Sequence, residues 1–249
     1  MPDLRIAILA DLHICDPWTS LAALRRIVAV TNSLKADLIL LPGDFIADGK
    51  LPARAVPASA IVAALAPLAA PLGVVAVLGN HDWRDCRLSR STAFARNSVV
   101  EALGESAITL LTNAAKKIEH DGQSFWLAGI DSQQARKHMR KQGFHDAEAA
   151  FADVPDGAPV ILLAHEPDYF ARADARAFLQ ISGHTHGGQV NLAGWRPMTP
   201  SAHGGRYAWG HIREGDRHLI VSGGIGYSGV PLRFMQPPEI TLVTVQRGP

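Results

Sequence analysis

Carboxylate and imidazole side chains, with one amide, gather in five short strings: Asp11-Leu12-His13, Gly43-Asp44, Gly79-Asn80-His81-Asp82, a lone His165, and Gly183-His184-Thr185-His186. Neutral imidazole and ionised carboxylate are ligands for first-row transition ions such as Mn, Fe, Co or Zn, and they disfavour Ca. Asp11, Asp44, His13, His165, His184, His186 and Asn80 together exceed the three or four protein ligands of a single catalytic zinc. Spread over two ions with a shared carboxylate, they supply four protein ligands to each and leave room for water. Two divalent ions bring four positive charges and the two carboxylates remove two, so the pocket is electropositive and suits a phosphate together with a hydroxide. Ions about 3.5–4 Å apart clamp the attacking and leaving oxygens of an in-line displacement.

Each string alone is weak. Asp-Leu-His usually marks a loop, a strand followed by Gly-Asp is common turn chemistry, and a single histidine more often makes a hydrogen bond than binds a metal. Gly-His-Thr-His carries more weight, because alternate residues of an extended segment face the same way and both imidazoles then reach one centre. What joins the strings is their position, since each follows an apolar run. Ligands of open α/β sheets bind beyond the carboxyl ends of the strands, so five such loops converge on one rim.

The elements behind those loops are legible as apolar runs. Leu4 to Ala10, Asp37 to Leu41 and Val74 to Leu78 read as strands, separated by a helix that Thr19 or Ser20 caps and by an Ala-rich helix near Ala58 to Ala66. In the capped helix Leu21, Leu24, Ile27, Val28 and Leu34 recur near a 3.6 period. This alternation predicts βαβ units with parallel central strands. The second half is richer in strands: Ile108 to Leu111, Lys117 to His120, and Phe125 to Ile130, the last two joined by a hairpin at Asp121-Gly122. Val160 to Ala164 and Phe178 to Ser182 read as buried strands. Gln189 to Leu192, His218 to Ser222 and Ile240 to Val245 are expected to complete a second sheet. The fold class is α/β, and residues 1–249 read as one domain without repeats.

Composition narrows the setting. With 24 Lys+Arg against 23 Asp+Glu the net charge is +1, which provides no global field for nucleic acid. Ala55 to Asn80 contains no charged residue, but Pro57, Pro67, Pro71 and Gly73 break it, so it reads as helix, turn and strand rather than a transmembrane segment. Cys15 and Cys86 are too few for a disulfide framework. The chain as it stands reads as cytoplasmic; removal of an N-terminal segment would make it peripheral to a membrane or exported.

The five strings in this order resemble the calcineurin-like metallophosphoesterase superfamily, over Asp11 to His186. Leu163 to Asp168, Gly183 to Gln189 and Pro238-Glu239-Ile240 are similar to a bacterial subgroup of phosphodiesterases and UDP-diacylglucosamine pyrophosphohydrolases. The resemblance implies two mixed β-sheets sandwiched between helical layers. It implies two metal ions, the first held by Asp11, His13 and His186 and the second by Asn80, His165 and His184, with Asp44 bridging. A bridging hydroxide then attacks phosphorus in line, and His81 faces the substrate to protonate the leaving oxygen or steady the phosphoryl group. Asp82 orients the ligands, with a simple turn carboxylate as the alternative. Ala47 stands where iron-tyrosinate members carry tyrosine, which argues against that type of site. The expected substrate is a small phosphodiester or pyrophosphate, a lipid-linked one included. A phosphomonoester or phosphoprotein is the rival, and a metal-free interaction scaffold the remote alternative.

Weaker signals remain. The cluster Arg136, Lys137, His138, Arg140 and Lys141 reads first as a solvated face and second as a phosphate contact. Arg206, Arg213 and Arg233 are candidate phosphate clamps. Glu166 reads as a helix-start carboxylate, and Trp195 and Trp209 as core or pocket walls.

Overall fold

The structure, a computed structural model, describes residues 3–172 and 176–246. In the first half, β1 (Leu4–Ile8), β2 (Cys15–Asp16), β3 (Leu38–Leu41), β4 (Arg54–Ala55), β5 (Val74–Ala76) and β6 (Thr109–Leu110) alternate with helices. These helices are α1 (Leu21–Ser33), α2 (Ala58–Leu65), α3 (Asn80–Arg84), α4 (Arg87–Ser91) and α5 (Ser98–Gly104). The second half contributes β7 (Ala114–His120), β8 (Gln123–Ile130), a short α6 (Ala147–Ala150), β9 (Val160–Ala164), β10 (Leu179–Ser182), β11 (Gly210–Glu214), β12 (Arg217–Val221) and β13 (Thr241–Val245).

Two mixed sheets result. The first has the order β13-β1-β3-β5-β6 and the second β11-β12-β10-β9-β8-β7, while β2 and β4 form a small separate ribbon. The central pairs β1/β3, β3/β5, β10/β9 and β8/β9 are parallel, as the alternation predicts. Successive side chains of a strand point to opposite faces, and here both faces are covered. Ile6, Ile8, Leu38 and Leu40 face Ile161, Leu163 and Ile181 in the core between the sheets. Ala7, Ile39 and Leu41 face Leu24 and Val28 of α1, Ile61 and Leu65 of α2, and Val99 of α5. On the far side, Val160, Leu162 and Ala164 meet Ala150 and Phe151 at the end of α6. Two-sided burial is why these strands read as unbroken apolar runs.

Local chemistry explains most boundaries. Ser20 caps α1 by accepting the Ala23 amide, and Asn97 caps α5 by accepting from Val99. Asp121 and Gly122 both have positive φ, which suits the two-residue turn joining β7 to β8. The uncharged stretch from Ala55 to Asn80 divides into α2 and β5, and among the described residues no helix is long and apolar enough to cross a membrane.

Two expectations about strands need correction, and one strand lies outside them. Ile240 to Val245 does not complete the second sheet: β13 pairs antiparallel with β1 and extends the first. Gln189 to Leu192 forms only isolated bridges, because Gly187, Gly188 and Gln189 turn the backbone through positive φ. The second sheet instead gains β11, whose alternating residues are only half covered and therefore lack the apolar signature of the other strands.

Candidate metal centre

All five strings meet at the carboxyl ends of β1, β3, β5, β9 and β10, where the two sheets face each other. Asp11, His13, Asp44, Asn80, His81, Asp82, His165, His184 and His186 are all buried. Backbone and side-chain bonds tie the loops together across the sheets. The His184 amide donates to both Asp11 carboxylate oxygens at 2.9 and 3.1 Å. The His81 amide donates to Asp44 Oδ1 at 2.8 Å. Glycine is required where these loops touch, since a Cβ on Gly183 would lie 2.7 Å from Asp11 Oδ2.

The backbone pays a local cost to aim these groups. Asp11, His13, Asp44, His184 and His186 all have φ between 41° and 73°, the left-handed region that non-glycine residues rarely occupy. This corrects the expectation for Gly-His-Thr-His. The segment is not extended, because Thr185 is helical between two left-handed residues. His184 and His186 converge through these turns and not through strand alternation.

Hydrogen bonds set the imidazole tautomers. His165 Nδ1 donates to the Pro42 carbonyl at 2.7 Å and His13 Nδ1 to the Ile46 carbonyl at 3.0 Å, so each Nε2 is turned inward. His165 Nε2 lies 3.2 Å from Asp44 Oδ2, 3.1 Å from Asn80 Oδ1 and 3.2 Å from His184 Nδ1. His13 Nε2 lies 3.2 Å from His186 Nε2 and 3.5 Å from Asp44 Oδ2. Burial pushes His13 down to about 4 and holds His184 and His186 well below the usual imidazole range. Asp44 outweighs burial at His165 and holds it well above the usual imidazole range, whereas the lone pairs of His13, His184 and His186 face carboxylates and one another in a dry space, an arrangement that a bound cation would stabilise. His184 Nε2 is buried with no hydrogen-bond partner. The residues present fit metal ions: Asp11, His13 and His186 form one group with ligand atoms within 4.8 Å, and Asp44, His165 and His184 form another.

His81 stands beside these groups. Its Nδ1 donates to Asp85 Oδ2 at 2.6 Å, and Arg84 Nη2 lies 2.9 Å from both ring nitrogens. Burial alone would lower its pKa, but Asp44 and the bonded Asp85 outweigh burial and raise it. Its ring lies 4.8 Å from that of His13, and its ligand atom also groups with those of His13 and Asp44. Asp82 does not reach the cluster. Its carboxylate accepts the amides of Asp44 (2.8 Å), Phe45 (2.8 Å), Ile46 (3.3 Å) and Gly79 (2.9 Å), clamping two ligand loops together. Against those bonds, burial and the Asp44 charge push Asp82 up to about 7.

A cavity of about 560 Å³ opens above the cluster, lined by Asn80, His81, His184 and His186, by the cations Lys50, Arg84 and Lys137, and by Asp48 and His138. Lys137 and His138 are the part of the basic cluster that reaches it. Arg206 and Arg213 do not line it and pair with Glu214 and Asp216 instead. Arg233 bonds to the Gly226 and His186 carbonyls, so it supports the His186 loop. Glu166 accepts from Ser132 Oγ and the amides of Gln133 and Gln134, which fixes the start of the basic loop. Trp195 and Trp209 are exposed and belong to no core. Asp85 and Arg84 escaped the sequence reading; their spacing of four and three residues from His81 on a short helix was the available signal.

The Calcineurin-like phosphoesterase family matches residues 4–188. An uncharacterized metallophosphoesterase, YkuE of Bacillus subtilis, is 31% identical over 245 residues, covering 97% of this chain and 79% of the relative. The phosphodiesterase YaeI of Escherichia coli is 32% identical over 243 residues, 96% and 81% of the two chains. The UDP-2,3-diacylglucosamine pyrophosphatase LpxG of Chlamydia trachomatis is 28% identical over 286 residues, 96% and 83%. Some curated relatives are longer, and the chain spans about half their length, as with 48% of a Caenorhabditis elegans relative and 54% of a Danio rerio one. By this match and by a site whose His and Asp groups are placed to hold metal ions, the chain belongs to the calcineurin-like phosphoesterase family and is a metal-dependent hydrolase of phosphoric esters.

Proposed function

We propose that the chain, acting as one domain, hydrolyses a phosphodiester or pyrophosphate bond in the cavity above the histidine cluster. The observation that carries this reading is the pair of ligand groups, Asp11/His13/His186 and Asp44/His165/His184, with His81 grouped with His13 of the one and Asp44 of the other. In it, Asp11, His13 and His186 would hold one ion and Asn80, His165 and His184 the other, with the Asp44 carboxylate available to both. Two Mn, Fe, Zn or Co ions there would supply Lewis-acid stabilisation of the phosphoryl group and lower the pKa of an attacking water. The protein's own groups do the rest. Lys50, Arg84 and Lys137 draw the anionic substrate into the cavity, and burial of the ligands keeps bulk water off the reacting centre. His81, held by Asp85 through Nδ1 and lining the cavity, is the proton source for the leaving oxygen. Similarity to a phosphodiesterase and a pyrophosphatase supports the choice of bond. Two free, buried cysteines support a cytoplasmic setting.

Metal-reconstituted protein tested on a nitrophenyl monoester, a bis-nitrophenyl diester and a nucleotide-sugar pyrophosphate separates the readings. Higher kcat/KM on the diester or pyrophosphate is expected; preference for the monoester would overturn the choice of bond.

A further inference from the structure

Two segments beside the cavity expose apolar side chains: Leu192, Trp195 and Met198 on one, and Val230, Leu232, Phe234 and Met235 on the other. Trp195 and Met235 are 65% and 64% exposed, more than any other large hydrophobic residue among those described. Of the remaining exposed large hydrophobics, Trp209 and Leu242 line a different cavity, and Trp18, Val30 and Met139 lie on other parts of the chain.

The two segments are joined to each other and to the metal-ligand loop. Val190 bridges Phe234, with the Asn191 amide donating to the Phe234 carbonyl and the Phe234 amide to the Gln189 carbonyl. Gln189 completes the connection from inside. Its buried side chain donates to the carbonyls of Ser228, Val230 and Leu232 and accepts the Ser228 amide at 2.6 Å. Gln189 follows His186 by three residues, so the exposed face is held in register with the site.

Charge and position identify what covers this face. Residues 189–200 and 226–238 contain no aspartate or glutamate; their only charges are Arg196 and Arg233. The same segments supply Pro197, Met198, Pro200, Ser228 and Gly229 to the cavity wall; the buried Asp48 there accepts from Ser228 Oγ and the Gly229 amide, and the exposed rim carries Lys50 and Lys137. A protein seated here would cover the cavity mouth. A lipid surface would instead take up Trp, Phe, Met and Leu side chains at its interface and deliver its own phosphate groups to the cations.

We propose that these two segments dock the enzyme on an anionic phospholipid surface, so that the cavity takes phosphoesters carried by amphiphiles at the interface. The catalytic part rests on the phosphoesterase reading; the docking part does not.

Cosedimentation of the full chain with vesicles tests the docking without turnover. Wild type is expected to pellet with phosphatidylcholine vesicles containing phosphatidylglycerol, more weakly with phosphatidylcholine alone, and less at high salt. The triple substitution Trp195→Ser, Phe234→Ser, Met235→Ser is expected to cut partitioning at least about tenfold. It is expected to leave kcat/KM on the soluble bis-nitrophenyl diester unchanged and to lower it on an acylated nitrophenyl diester embedded in vesicles. If the triple variant does not fold, Trp195→Ser alone serves, with a smaller loss. Wild type remaining in the supernatant with both vesicle types overturns the proposal, as does a variant that partitions like wild type. A wild-type dimer that the variant converts to monomer would assign the face to a second copy, which also overturns it. Vesicle binding without hydrolysis of any ester would sink the phosphoesterase reading and leave the docking intact.

Discussion

Asp82 Oδ2 accepts the backbone amide of Asp44 at 2.8 Å, although the two residues lie 38 positions apart. Through that bond the Asp82 carboxylate, itself outside the cluster, determines where Asp44 stands. Asp82→Asn keeps the shape but turns an NH2 group toward backbone donors. Each donor left facing it costs about 1–3 kcal/mol. A lowered melting temperature is expected, together with weaker metal binding by titration. Unchanged metal affinity would mean that the Asp44 loop holds its position without the clamp.

Metal content tests the ligand set directly. Elemental analysis of protein purified without chelator is expected to give up to two transition ions per chain, with activity lost on chelation and restored by Mn²⁺. Asp44→Asn is expected to weaken both ions, because an amide carries no charge and bridges poorly. His13→Ala is expected to weaken mainly one and to be partly rescued by excess Mn²⁺. Wild-type affinity for both ions in Asp44→Asn would exclude Asp44 as the bridge.

His81 sits close enough to His13 and Asp44 to serve as acid or as ligand. An acid matters most when the leaving oxygen is strongly basic, and such help is worth ~10²–10⁴-fold. His81→Ala is therefore expected to cost little kcat/KM with nitrophenyl esters and much more with alkyl or sugar esters, at unchanged metal content. Equal losses across graded leaving groups would indicate electrostatic stabilisation of the phosphoryl oxygens. Loss of an ion would make His81 a ligand.

Asp131 offers a pH test away from the metals. Burial pushes it up to about 6, even though the Trp83 indole donates to it at 2.7 Å. A carboxyl whose folded-state pKa is raised binds its proton more readily when folded, so its contribution favours the native state below the ordinary carboxylate range and declines as pH rises through about 6. In metal-free protein, Asp131→Asn is expected to match wild type near pH 4 and to melt higher at pH 7, since the amide oxygen still accepts from Trp83. The same difference in melting temperature at both pH values would rule this out.

The residue strings and the apolar runs that precede them were legible in the chain itself, because both are local. A strand buried on both faces must be apolar at every position, as Leu38–Leu41 and Val160–Ala164 are, and a loop that ligates metal must carry imidazole or carboxylate. What waited for the tertiary structure was whatever depends on pairing at long range. No residue of Thr241–Val245 says that it lies beside β1 and not in the second sheet, since a half-buried strand alternates alike in either place. Arg233 and Arg84 are alike as side chains; only the fold sends one to the carbonyls behind His186 and the other over His81. The convergence of His184 and His186 was foreseen but through the wrong geometry, because left-handed backbone at a non-glycine residue is disfavoured locally and persists only where surrounding contacts enforce it. The apolar face on residues 192–198 and 230–235 was invisible for the same reason. Exposure is decided by what packs above a side chain, and Trp195 reads as a core or pocket-wall residue until the fold leaves it uncovered.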